Sequence, residues 1–149
     1  MSPDHGVIQR QVFIAASPDA VFRLLVDAAL LPLWLGRAVT WEPWPGGTFR
    51  VELSRGNVAR GVFTDITPAR RVAFTWGWEA GDPALAALAP GASRVEIDLQ
   101  PERGGTRLRL RHSGLPEELL PRYADRWAYY LGRLEATTDE RRPMADPAP

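Results

Sequence analysis

Cysteine is absent from the 149 residues, which excludes disulfides, thiolate metal sites and cysteine nucleophiles. Lysine is absent too, so all 18 basic residues are arginine. That usage hints at a GC-rich bacterial genome, a statement about codons and not about chemistry. The basic residues are matched by 18 acidic ones. No excess of one sign draws the chain to nucleic acid or to an anionic membrane. No apolar run approaches the roughly 18 residues of a membrane span. Met1–Arg10 lacks the apolar core of a signal peptide, so the expectation is a cytoplasmic protein. The patterns GxSxG, HExxH, the Walker loop and GxGxxG are all missing. The glycine pairs Gly46-Gly47 and Gly104-Gly105 fall between strands and read as turns. With only His5 and His112 present, a His-rich zinc site is excluded. Neither a cofactor nor a metal is expected.

What the chain does have is aromatic mass, six tryptophans among it. Near the C-terminus, Tyr123, Trp127, Tyr130, Leu131 and Leu134 recur on one side of a 3.6-residue period. Pro121 suits a first turn, so the spacing predicts a helix over about Arg122–Thr137. Three large rings on one helix face want a concave apolar partner. A chain of this length buries about 70% of its unfolded surface, enough for one core.

The preceding residues read as a sheet that supplies this partner. Val7–Ala15 alternates as a strand. Ser17-Pro18-Asp19 is a helix start, followed by two short helices that carry Val21, Leu24, Leu31 and Trp34. Strands then follow at Val39–Trp44, Thr48–Ser54, Val58–Ile66, Arg71–Glu79, Ser93–Gln100 and Gly105–His112. Ala80–Ala92 reads as a long loop. Residues 1–6 and 139–149 read as flexible tails around one domain at 7–138. In the last hairpin, inward residues must oppose inward residues. The expected pairs are Leu99 with Thr106, Ile97 with Leu108, Asp98 with Arg107 and Glu96 with Arg109. The sum is an α+β helix-grip architecture: a curved antiparallel sheet of about six to seven strands wrapped around a long C-terminal helix. A curved sheet sealed by a straight helix leaves room for a pocket of roughly 300–1,000 Å³.

The candidate ligand-binding residues follow from the inward phases. From the sheet side these are Trp34, Phe49, Phe63, Trp76, Trp78 and Leu110; from the helix, Tyr123, Trp127 and Tyr130. Trp127 is expected to be half packed and half lining the pocket. Two polar residues share the inward phase. His112 reads either as a buried histidine bonded to a neighbouring carbonyl or as a pocket polar group. Asp65 reads either as solvated at a strand end, capping Thr67, or as facing inward after Gly61 and Phe63.

Several segments resemble one known family. They are Ile14–Phe22 as an opening strand and helix start, Pro45–Arg50 as a glycine-pair turn into a strand, and Gly61–Trp76 as an aromatic-rich hairpin. Gly105–Leu108 with His112–Pro116 resembles the end of the sheet, and Trp127–Leu134 the last helix. In order and spacing the chain resembles the homologues of the activator of heat-shock-protein-90 ATPase, within the START-like, birch-allergen-like SRPBCC superfamily. Arg126 departs from the pattern, standing where glycine often precedes the helix tryptophan. The resemblance implies the same helix-grip fold and a hydrophobic cavity, but no one activity. Three readings stay open: a binder of a small apolar or amphipathic molecule, a cyclase- or hydrolase-like enzyme using His112 and Asp65, and a protein-interaction module of co-chaperone kind. A second copy of the chain is an allowed partner.

Overall fold

The computed structural model describes residues 6–54, 56–81 and 88–145, with side chains described as far as residue 137 and without that of residue 80. Seven strands form one antiparallel sheet: β1 (Ile8–Ile14), β2 (Arg37–Trp41), β3 (Thr48–Ser54), β4 (Asn57–Thr67), β5 (Arg71–Ala80), β6 (Ser93–Glu102) and β7 (Gly105–Ser113). Their spatial order is β1-β7-β6-β5-β4-β3-β2. The first two strands thus occupy opposite edges, and the chain crosses from one to the other through two short helical segments. Helix α1 (Pro18–Val26) starts where Ser17 Oγ accepts the Ala20 N–H, with Pro18 at the first turn. A 3-10 turn at Ala28–Leu33 is capped by Asp27 in the same way and contains Pro32.

Curvature is concentrated in one half of the sheet. Ladder irregularities fall at Ala38/Thr40, Glu52/Ser54, Val58/Ala59 and Phe63/Asp65, in the ladders joining β2, β3, β4 and β5. The ladders joining β1, β7, β6 and β5 have none. An extra residue in one strand bends it and increases its twist, so the β2–β4 half curls while the β1–β6 half stays regular. At Gly61 the inner face has no room for a side chain. A Cβ there would lie 2.7 Å from the Phe49 ring and 2.0 Å from the Thr75 carbonyl oxygen.

Helix α2 (Leu120–Ala145) packs across the inner face. It buries Tyr123, Trp127, Tyr130, Leu131 and Leu134, the stripe that the sequence period predicts. The helix starts two residues before the expected Arg122 and continues past Thr137, so the stretch read as a tail is helical as far as Ala145. Residues 1–5, 55, 82–87 and 146–149 lie outside the described residues, and with them most of the expected loose start and the middle of the Ala80–Ala92 loop.

The β6–β7 register corrects the expected one by two residues. Asp98 lies opposite Arg109, Ile97 opposite Leu110, and Leu99 opposite Leu108. Strand β6 continues through Pro101 and Glu102, which pair with Thr106 and Gly105 and leave only Arg103-Gly104 at the tip. Gly104, at φ 82°, supplies the left-handed residue of that turn. A shift of two keeps every side chain on its face, so the inward set stays inward. The outer face carries ion pairs around Arg71, which reaches Asp65 at 3.1 Å, Glu96 at 2.6 Å and Asp98 at 2.8 Å.

Candidate functional site

Aromatic rings run without a break across the inner face. Trp41 stands edge-on to Phe63 at 5.1 Å, Phe49 to Phe74 at 5.3 Å, and Trp76 to Trp78 at 5.7 Å. Trp76 also meets Trp127 of α2 at 6.2 Å. Edge-to-face contacts suit the ring quadrupoles and interlock the rings. The strands supply these side chains by simple alternation, and the curl of β2–β4 brings Trp41, Phe49 and Phe63 over the end of β5.

One polar chain runs through this apolar layer. The Trp127 indole N–H donates to His112 Nδ1 at 3.0 Å. An indole nitrogen can only donate, so Nδ1 accepts and the neutral ring carries its proton on Nε2. That proton goes to Ser93 Oγ, 2.8 Å away. The Ser93 hydroxyl in turn donates to the Trp76 carbonyl at 2.6 Å. His112 is 0% exposed, yet both ring nitrogens are satisfied. Burial, with no carboxylate to offset it, pushes its pKa down to about 3. A ring that stays neutral and has both nitrogens engaged orders the core and exchanges no proton near neutral pH.

Two indole nitrogens beside Tyr123 differ in kind. Trp78 Nε1 donates to the Tyr123 hydroxyl oxygen. Trp76 is 2% exposed, its N–H leans toward the same phenol, and it completes no hydrogen bond. Burial raises the Tyr123 pKa, so the phenol keeps its proton.

Most of the rings expected to line a pocket pack against one another here. Among the described residues lie two small cavities of about 20 Å³ each, each room for about one water. The first is wholly apolar; Trp34, Trp41, Phe49, Phe63, Phe74 and Trp76 are among its walls. The second lies under α2 between Trp76, Trp78, Tyr123, Trp127 and Tyr130, with Arg122 and Arg126 at its rim. Trp76 belongs to both and is the partition between them.

Eight of the sequence-derived candidates therefore line one cavity or the other. His112 and Leu110 are buried beside them and line neither. Asp65 is on the other side of the sheet. The irregularity between Phe63 and Asp65 inserts one residue and reverses the facing. Asp65 consequently accepts from Thr67 at 2.7 Å and Arg71 at 3.1 Å on the outer face. His112 and Asp65 share no substrate position, and the enzyme reading built on that pair is withdrawn. Sequence reasoning missed Ser93, which shares the inward phase of Val95 and Ile97, and the rim residues Arg122 and Arg126, which the helix period puts mostly off the apolar face. No cluster of His, Asp or Glu able to hold a metal is found among the described residues.

Comparison places this geometry among known structures. The AHSA1-like protein of Rhizobium etli is 40% identical, with a TM-score of 0.65 over 87% of this chain and 79% of that one. DynU16, from the dynemicin biosynthetic locus, is 21% identical with a TM-score of 0.75; the match covers 87% of this chain but only 46% of DynU16. The Aha1 dimer of Colwellia psychrerythraea is 18% identical with a TM-score of 0.72, covering 89% of this chain and 95% of that one. Among curated proteins none matches. The family model described as Activator of Hsp90 ATPase homolog 1-like protein matches residues 15–139. With the sheet, the closing helix and that match in agreement, the chain belongs to the Activator of Hsp90 ATPase homolog 1-like family.

Proposed function

We propose that the chain binds a small, largely apolar molecule between the sheet and α2, by displacement of Trp76. The observation that carries this reading is the shared partition: one side chain lies between a wholly apolar cavity and a second one walled mainly by aromatic rings. The Trp76 indole N–H has no partner to lose, so rotating the ring breaks no hydrogen bond of its side chain. Swinging it aside joins the cavities into one slot that reaches the rim at Arg122 and Arg126. Ligand entry then costs a conformational change, and the apparent affinity is lowered by the population of the open form.

A screen of apolar and amphipathic compounds, followed by tryptophan fluorescence and thermal shift, tests the reading. Binders should quench or shift the emission saturably. They should also stabilise the fold by about 2.7 kcal/mol at a hundredfold excess over Kd. If neither signal moves for any compound at millimolar concentration, the site does not open and the reading fails.

A second reading, self-association, rests on a different surface. Tyr129 on α2 is 56% exposed and Leu33 is 42% exposed. Arg133 links the two segments, stacking over the Tyr129 ring at 5.9 Å and donating to the Pro32 carbonyl at 3.3 Å. The related Colwellia protein is a dimer in solution. Sedimentation equilibrium should show a dimer that Tyr129→Glu weakens; a monomer at every concentration would end this reading.

A further inference from the structure

We infer that Trp76 is a preloaded gate: its unpaired indole N–H destabilises the closed form and so sets how readily the two cavities join. This rests on the binding reading above and adds to it what drives the opening. Of the six tryptophans, Trp44 is exposed and four others have the indole N–H tied to an acceptor. Trp34 donates to the Leu24 carbonyl at 2.8 Å, Trp41 to the Val26 carbonyl at 2.7 Å and Trp127 to His112 at 3.0 Å. Trp78 donates to the Tyr123 hydroxyl oxygen. Among the described residues Trp76 alone has a buried side-chain N–H with no protein acceptor. It is also the ring that lies between the two cavities.

The backbone beneath this ring is fixed. Trp76 pairs with Ser93 in the β5–β6 ladder, and its carbonyl accepts the Ser93 hydroxyl at 2.6 Å. Opening is therefore a rotation of the ring about its own side-chain bonds, with the strand in place. Ring contacts with Phe49, Phe74, Trp78 and Trp127 oppose that rotation. The N–H favours it, because a buried donor without an acceptor is costly and a solvated one is not. Once turned, it can donate to water at the rim or to the Tyr130 hydroxyl oxygen in the wall of the second cavity. The apparent affinity for any ligand scales with the open fraction. The N–H thus acts on the gate and makes no contact with the ligand.

Exchanging the indole nitrogen for sulfur removes the donor and keeps the bicyclic shape. The analogue β-(3-benzothienyl)alanine is incorporated in place of Trp76 and, in a second protein, in place of Trp78. In place of Trp76 it should raise the urea midpoint. In place of Trp78, where a formed hydrogen bond is lost, it should lower it. In the parent chain, NMR in heavy water should show the Trp76 indole N–H exchanging before those of Trp78 and Trp127. The apolar fluorescent probe N-phenyl-1-naphthylamine should bind the Trp76 analogue about tenfold more weakly than the parent. Equal losses of midpoint at the two positions, or a Trp76 N–H protected as long as that of Trp127, overturn the gate whether or not the probe binds. A probe that binds parent and Trp76 analogue alike overturns it too, while the binding reading stands. If the unfolding and exchange results hold but the probe and the wider screen are silent, the gate stands and the binding reading falls.

Discussion

Replacing Trp127 with alanine should remove about 3–5 kcal/mol of stability, the usual range for truncating a large core ring. Trp127 is 2% exposed and touches Trp76, His112 and Tyr130, all with ring centroids near 6 Å. It is thus packed against three rings while also forming part of the wall of the second cavity. The substitution also strips His112 Nδ1 of its only donor, and an unsatisfied buried acceptor costs about 1–3 kcal/mol. Trp127→Phe separates the two contributions, since it keeps most of the ring and loses only the N–H. Urea unfolding of both variants measures the difference. A loss below about 1 kcal/mol for Trp127→Ala, the range of ordinary surface changes, would show that the indole is not packed against the sheet.

Acid should destabilise the fold well before its carboxylates titrate. In the folded chain burial holds His112 at about 3, whereas an unperturbed histidine titrates near 6.5. Between those values the unfolded chain binds one more proton than the native one, so stability rises with pH. The contribution is fully present above about pH 6.5 and is lost as the pH falls toward 3, at up to about 1.4 kcal/mol per unit. The carboxylates of Glu79, Glu102 and Glu42 are lowered by Arg50, Arg107 and the Thr48 backbone N–H, respectively. They add losses only below their ordinary value of 4.5. The interval from about pH 6.5 to 5 therefore isolates the histidine. His112→Gln should be nearly flat across that interval while the parent chain loses stability. Equal slopes for the two proteins would mean that His112 is accessible to protons in the native state.

These two side chains also show what a linear sequence can and cannot carry. Trp127 was legible because a helix repeats every 3.6 residues, and large rings at Tyr123, Trp127 and Tyr130 leave one consistent face. Strands β3, β5, β6 and β7 were legible by the same logic with period two. His112 was placed inward correctly, but its partners were not, because Ser93 lies 19 residues away and only the β6–β7 register brings it close. For Asp65 the structure bears out the Thr67-capping reading, and the inward one failed for a local reason: nothing in Phe63-Thr64-Asp65 announces the extra residue that turns the strand over. The hairpin register failed because β6 was ended at Gln100 when the ladder runs on through Pro101 and Glu102. The cavity size was out of reach for another reason. Periodicity says which rings face inward, and the volume left between them depends on their rotamers and on how closely α2 approaches.

The strand order has a consequence for how the chain becomes folded. Among the described residues the first strand, β1, pairs only with the last, β7, along Ile8–His112 to Ile14–Thr106. Just beyond that ladder the Thr106 hydroxyl reaches the Ala16 carbonyl across 90 residues of sequence. During synthesis β1 must wait, with its apolar side uncovered, until nearly the whole sheet has left the ribosome. Long-range pairings of this kind slow folding, because the ordering entropy is lost before the contacts that repay it can form. Helix α2 starts at Leu120, a few residues after β7 ends. The closing of the sheet and the arrival of its cover are therefore nearly one event, and the interval in which a bare β1 could pair with another chain ends there.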